Sequence, residues 1–204
     1  MTKARLRDLI YQPVKAVVNE IGVGLDRYNV TPHQLTMTGF LVNILGCILY
    51  AHGHFSSGSL VILFAGIFDM LDGSLARSSN KTSKFGAFID SVIDRYSDFL
   101  IFGGLTVHFA KANQADYVLL TLAVIAGSFL TSYTKARAES LIRHCDVGMI
   151  ERPERILIIC IGGLFGAIVP ALWILAFATH FTALDRIYYT WKRTEGNLSE
   201  RDED

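Results

Sequence analysis

Residues 59–78 read SLVILFAGIFDMLDGSLARS. An uncharged apolar run from Leu60 to Phe68 is followed by two aspartates, Asp69 and Asp72, before Arg77 closes the segment. Charges next to so long an apolar run are costly and mark function by default. The following stretch repeats the theme, with Asp90 and Asp94 ahead of the apolar residues Phe99–Leu105. Spacings of three and four place each pair on one face of a helix. The two helices are expected to be antiparallel neighbours, so the four carboxylates converge one or two turns below one membrane surface.

Four close carboxylates repel one another unless a cation neutralises them. Hard divalent ions take oxygen ligands, so Mg²⁺ or Mn²⁺ is the natural partner of Asp69, Asp72, Asp90 and Asp94. Mg²⁺ is commonly held by a few carboxylates together with substrate phosphates, which points to a phosphate-bearing substrate. Gly73 removes bulk where a ligand approaches the backbone. Arg77 stands on the same helix, placed to pair with a phosphate. Gly86 opens the next helix. A polar helix interface or a cation path through the membrane is the competing reading, because aspartates also line pumps and channels.

Working outward, the chain of 204 residues is 51% hydrophobic and still 19% charged, with no net formal charge. Nothing in that balance points to nucleic acid. Apolar runs predict helices near 33–52, 57–78, 86–109, 115–143, 152–169 and 170–191. Most reach the roughly 20 residues that cross a bilayer. The fold class is therefore all-α integral membrane, with six transmembrane helices. Basic residues alternate by connector: they crowd the N-terminal segment, the loop holding Lys81 and Lys84, the region Lys135–Arg155 and the C-terminal tail. The positive-inside rule then sets both termini in the cytoplasm, together with the aspartate-bearing ends of the helices. The host membrane is expected to be the plasma (inner) membrane.

Residues 1–28 repeat Leu6, Leu9, Ile10, Val14, Val17, Val18 and Ile21 at helical spacing with basic residues between them. The pattern suits an interfacial amphipathic helix kinked at Pro13 rather than a signal peptide. Thr31-Pro32 reads as cap and first-turn proline of the first span. Residues 29–194 form the six-helix domain, and 195–204 an acidic solvated tail. The three cysteines form no CxxC pair and read as small buried side chains. The histidines share no metal spacing with the aspartates. Gly162 and Gly166 read as a GxxxG step in the fifth helix.

Asp69-Met-Leu-Asp72-Gly73-Ser-Leu-Ala76-Arg77, eight residues, Gly86, three residues, Asp90, three residues, Asp94 resembles the motif of the CDP-alcohol phosphotransferase family. All eight fixed positions are present at their spacing, a match whose chance probability at a given start is roughly 10⁻¹⁰. The resemblance implies a metal-dependent transferase of phospholipid biosynthesis, acting on a CDP-linked lipid donor and a small polar alcohol among membrane lipids. It implies that Asp69, Asp72, Asp90 and Asp94 hold two metal ions, and that Asp94 is also the general base. It implies that Asp69, Gly73, Ala76, Arg77 and Gly86 line the CDP-donor site, and that the protein is a homodimer.

The motif is blind to the acceptor. Ser132-Tyr133-Thr-Lys135-Ala-Arg137-Ala-Glu139, Glu151-Arg152-Pro153-Glu154-Arg155 and Asp90-Ser-Val-Ile-Asp94-Arg95-Tyr-Ser-Asp98 are similar to the inositol-type branch, the prokaryotic phosphatidylinositol-phosphate synthases. That resemblance implies transfer of a phosphatidyl group from CDP-diacylglycerol, or an archaeal CDP-lipid, to inositol phosphate, with release of CMP. It also implies that Lys135, Arg155 and Arg186 grip the acceptor's phosphate. Three cations from three helix ends suit a dianionic phosphate. Lys135, Arg137, Arg152 and Arg155 also fit topology and lipid-headgroup pairing. Asp98 is expected to pair with a nearby basic residue. Free inositol, glycerol phosphate and serine are the other acceptors of the class, and a cation-coupled transporter is the alternative outside it.

Overall fold

The structure, a computed structural model, describes residues 31–78 and 83–195, with the side chains of residues 76–78 outside that description. The expected interfacial helix over 1–28, and the acidic tail beyond Glu195, lie outside the described residues. Among the described residues there are six helices and no strand: α1 (Pro32–Ala51), α2 (Phe55–Ser78), α3 (Lys84–Lys111), α4 (Ala115–Ala138), α5 (Arg152–Leu164) and α6 (Ile168–Thr194).

Local chemistry sets the helix ends. Thr31 and Gln34 form a reciprocal capping box at the start of α1, with Pro32 in the first turn as its sequence predicts. The Ser83 hydroxyl accepts from the Gly86 N–H and caps α3. The fifth helix is shorter than expected and ends at Leu164. Gly166 takes φ +68°, and the Ala167 N–H reaches back to the Gly162 carbonyl at 2.6 Å. These are the marks of a Schellman stop with glycine in the left-handed position. Gly166 therefore lies in a turn, and the GxxxG reading does not hold. Gly162 instead faces Ala171 of α6, and Gly163 faces Ser59 of α2. Pro170 falls in the first turn of α6, where no N–H is needed.

Among the described residues, four helical segments are long and apolar enough to cross a membrane: Pro32–Ala51, Phe55–Leu75, Ala115–Ala138 and Ile168–Thr194. The expectation of six spans is thus met in part. The 13 residues of α5 cover about 20 Å at 1.5 Å per residue, short of a hydrocarbon core of roughly 30 Å. The first half of α3 is interrupted by Asp90, Asp94, Arg95 and Asp98. Outward-facing Leu41, Leu60, Phe64, Trp173 and Phe177 are all more than half exposed, an outer surface suited to lipid rather than water.

The main helix contacts run α1–α2–α5–α6–α4–α3 and back to α1, a closed ring. The expected direct packing of α2 on α3 is absent from it. Both helices lean on α1 instead, and the aspartates face one another across a gap. Far from the aspartates the ring is filled by Tyr50, Phe102, Leu105, Leu172 and Leu175, all essentially buried. Cys145 and Cys160 are buried, Cys47 is half-buried, and all three are free thiols.

Candidate active site

At the open end of the ring, α2 and α3 present their aspartates. Asp72 is 5% exposed and accepts a hydrogen bond of 2.6 Å from the Thr36 hydroxyl of α1. Asp69 lies one turn away, against Gly39 of α1. A Cβ on Gly39 would stand 3.1 Å from Asp69 Oδ1, so the glycine lets α1 pass close to the carboxylate. On α3, Asp90 has no hydrogen-bond or ion-pair partner among the described residues, but it feels the charges of Asp69, Arg152 and Arg95. Asp94 and Asp72 also lie within Coulomb reach of Asp69 and Asp90.

The gap between α2 and α3 is bridged by a residue that the motif does not contain. Arg152, the first residue of α5, sets Nη1 2.8 Å from Asp69 Oδ2 and 2.7 Å from Asp94 Oδ1. Its Nε lies 3.4 Å from Asp98 Oδ1. One planar guanidinium thus spans three carboxylates on two helices, which a lysine ammonium does not match. Asp98 is held more firmly by Arg155, whose Nη2 donates across 2.6 Å with both side chains buried.

The four motif carboxylates offer hard oxygen donors and, with Asp98, outnumber Arg95, Arg152 and Arg155, the arginines that face them among the described residues. That donor set and its shortage of positive charge fit a divalent cation. Among the described residues no three His, Cys, Asp or Glu side chains enclose a metal position, and Arg152 stands between Asp69 and Asp94.

Beside Asp94 opens a cavity of about 370 Å³ walled by Asp94, Lys135, Glu151, Arg152, Arg155 and Arg186, among others. The three cations expected to grip a phosphate, from α4, α5 and α6, therefore meet around one space. They are held differently. Lys135 Nζ lies 3.0 Å from Glu151 Oε1. Arg155 is 2% exposed; its Nη1 donates to Thr131 Oγ1 at 3.2 Å, and its Nε is buried without a partner among the described residues. Arg186 is 3% exposed; it donates to the carbonyls of Thr131 at 2.6 Å and Val147 at 3.0 Å. Its Nη2 lies 3.7 Å from Glu151.

The segment between α4 and α5 makes this wall possible. The sequence reading carries α4 to residue 143, but the helix ends at Ala138. The chain then folds onto α6. The N–H groups of Met149 and Ile150 donate to Thr182 Oγ1. Gly148 has φ +120°, and a Cβ there would lie 2.6 Å from Thr182 Cγ2 and 3.2 Å from Arg186 Nε. Only glycine fits both the backbone and the space.

Of the remaining expected donor-site residues, Gly73 sits on α2 beside Asp72, half-buried. Ala76 and Arg77 continue the last turn of α2, but their side chains fall outside the described residues. Gly86 lies in the exposed first turn of α3, where a Cβ would meet the Ser83 hydroxyl at 2.9 Å. Arg152, Glu151 and Thr36 escaped the sequence reading as site residues. For Arg152 a signal was present: so many aspartates demand an internal cation.

The profile of the CDP-alcohol phosphatidyltransferase family matches residues 29–184. The chain is 37% identical over 174 residues to the archaetidylinositol phosphate synthase of Methanothermobacter thermautotrophicus, covering 82% of this chain and 87% of that one. The crystal structure of Mycobacterium tuberculosis phosphatidylinositol phosphate synthase with CDP-DAG bound superposes with a TM-score of 0.80 at 34% identity, covering 86% of this chain and 94% of that one. The same mycobacterial enzyme in complex with manganese and citrate gives a TM-score of 0.79 at 34% identity over 85% and 88%. Motif, ring of helices and these likenesses agree, and the chain belongs to the CDP-alcohol phosphatidyltransferase family.

Proposed function

We propose that this protein transfers a phosphatidyl or archaetidyl group from a CDP-linked lipid to a hydroxyl of inositol phosphate, releasing CMP. The observation that carries the reading is the meeting of Asp94 with Lys135, Arg155 and Arg186 around one cavity. A base for the acceptor hydroxyl and a grip for the acceptor phosphate thus share a single space. The unpartnered Nε of buried Arg155 supports an anionic occupant, since a buried unpaired donor is costly until something accepts from it. The names of the relatives, an archaetidylinositol phosphate synthase and a phosphatidylinositol phosphate synthase, point the same way.

In this reading Asp69, Asp72, Asp90 and Asp94 hold Mg²⁺ or Mn²⁺, two ions in all. When bound, the ions neutralise charge on the donor's pyrophosphate and on departing CMP. Asp69, Gly73, Ala76, Arg77 and Gly86 line the CDP site. Asp94 takes the proton of the acceptor hydroxyl. The acceptor oxygen forms a bond to the lipid-bearing phosphorus, and the bond from that phosphorus to the CMP oxygen breaks, the electron pair leaving with CMP. Lys135, Arg155 and Arg186 fix the acceptor so that one hydroxyl faces the phosphorus. The site sits at the end of the membrane bundle, where lipid tails remain in the bilayer and a polar acceptor enters from water. The alternation of basic loops supports a cytoplasmic setting for that end, with the protein in the plasma membrane. The working unit is a homodimer.

The test is CMP release by the purified protein with Mg²⁺ and CDP-diacylglycerol or its ether-lipid counterpart, across inositol phosphate, free inositol, glycerol phosphate and serine. Release with inositol phosphate alone supports the reading. Release only with another acceptor discards the acceptor assignment, and no release with either donor discards the reaction.

A further inference from the structure

The first turn of α5 places opposite charges in two neighbouring sites. Glu151, the N-cap, sends Oε1 to Lys135 at 3.0 Å and toward Arg186 at 3.7 Å. It thus puts an anion against two of the three cations around the cavity. Arg152, the next residue, sends its guanidinium to Asp69, Asp94 and Asp98, putting a cation among the aspartates. The two sites carry opposite charge deficits, and each is offset by a side chain of complementary sign from the same turn. That turn is well made: Glu151 and Glu154 form a reciprocal capping box, with Pro153 in the first turn.

Resting on the functional reading above, we infer that Glu151 and Arg152 are internal stand-ins for the two ligands. Arg152 occupies the carboxylate cluster until a divalent cation takes its oxygens, and Glu151 occupies the cationic pocket until a phosphate takes its place. Both are positioning residues. A cluster of like charges left uncompensated in a poorly solvated site would spread apart or change its protonation. The stand-ins keep α2, α3, α4 and α6 at their spacing before substrate arrives. They also set a threshold, because an incoming ligand must compete with the resident charge. A dianionic phosphate competes with the Glu151 carboxylate, whereas a neutral polyol offers the cations no charge in exchange.

The experiment uses the full chain in detergent micelles and reads binding rather than turnover. Mn²⁺ affinity is measured by electron paramagnetic resonance for the wild type, Arg152→Gln and Arg152→Lys. Inorganic phosphate affinity is measured by calorimetry for the wild type and Glu151→Gln, without metal. An opposite charge in contact shifts a carboxylate's balance by roughly one to three log units, so Arg152→Gln is expected to bind Mn²⁺ at least about tenfold more tightly. Arg152→Lys, which keeps a charge but not the fork, falls between. Glu151→Gln keeps an oxygen for the helix cap and is expected to bind phosphate several-fold more tightly. Unchanged or weaker Mn²⁺ binding in Arg152→Gln, or unchanged or weaker phosphate binding in Glu151→Gln, overturns the inference. If Arg152→Gln shows no cooperative thermal transition, Arg152→Lys decides alone, and wild-type-like or weaker Mn²⁺ affinity there overturns it. These outcomes are separable from the reaction: tighter binding in the variants of a chain that releases no CMP supports the stand-ins while sinking the enzyme reading. Flat affinities in a chain that turns over do the reverse.

Discussion

Arg155 Nη2 donates to Asp98 Oδ2 across 2.6 Å, with the two side chains 3% and 5% exposed. The pair joins the first turn of α5 to the middle of α3, helices that are not ring neighbours. It also brings Arg155 to the cavity wall. Arg155 is thus a strut as well as an expected phosphate ligand. Breaking a buried pair from one side leaves a charge without compensation, at a cost of about 3–5 kcal/mol. Asp98→Ala is expected to lower thermal stability in detergent more than the same change at exposed Asp146 of the α4–α5 segment. Equal melting temperatures in the two variants would show that the bond carries no load.

Asp94 is expected to be the proton acceptor. Asp94→Asn keeps the shape of the side chain but removes the base, so CMP release should fall by about 10²–10⁴-fold. Binding of the CDP-lipid, read by equilibrium titration, should be largely retained. Normal turnover in Asp94→Asn would remove Asp94 from this role.

Lys135 faces the cavity from the last turn of α4. A hydrogen bond to a charged group contributes about 1.5–3 kcal/mol. Lys135→Ala should therefore raise the acceptor KM by about ten- to a hundredfold while moving the donor KM little. An unchanged acceptor KM would place the phosphate grip elsewhere.

Gly148 holds the inter-helix segment against Arg186. Any side chain there faces both a strained positive φ and the space already filled by Thr182 and Arg186. Gly148→Ala is expected to push Arg186 off its carbonyl partners, at a cost of about 1–3 kcal/mol, and to weaken acceptor binding through displacement of the wall. Steady-state KM and a melting curve, taken together, test this. Wild-type values in both would mean that the segment adjusts freely.

Thr36 donates to Asp72 at 2.6 Å from a different helix. Thr36→Val removes the hydroxyl at nearly constant volume and should weaken divalent-ion binding, because Asp72 loses the donor that fixes its carboxylate orientation. Mn²⁺ titration by electron paramagnetic resonance reads the effect, and an affinity equal to the wild type would assign Thr36 a packing role alone.

Six helices, their order and most of their boundaries were legible in the chain, because apolar runs and caps such as Thr31-Pro32 act locally. The aspartate constellation was equally legible, since spacings of three and four fix side chains on one face of any helix. Two boundaries were misread. The fifth helix stops at a glycine whose left-handed turn looks from sequence like half of a GxxxG step. The fourth helix stops at Ala138, where residues 139–142 turn back on its last carbonyls, and the chain beyond is held at Val147, Met149 and Ile150 by Arg186 and Thr182 of α6, partners more than thirty positions away.

Local properties of the chain suffice for a membrane-seated helical protein with a motif of eight residues for a nucleotide-linked lipid donor. Periodicity, hydropathy and the spacing of charges are local properties, and a helix transmits them directly into faces and ends. Which charge meets which is instead settled by the packing of the helices. A guanidinium reaches across several ångströms, and its partner depends on the order of helices around the ring. Arg152 reads in sequence as one more basic residue at a membrane edge. In the fold it bridges the two aspartate helices, because the first turn of α5 lies between the aspartates of α2 and those of α3.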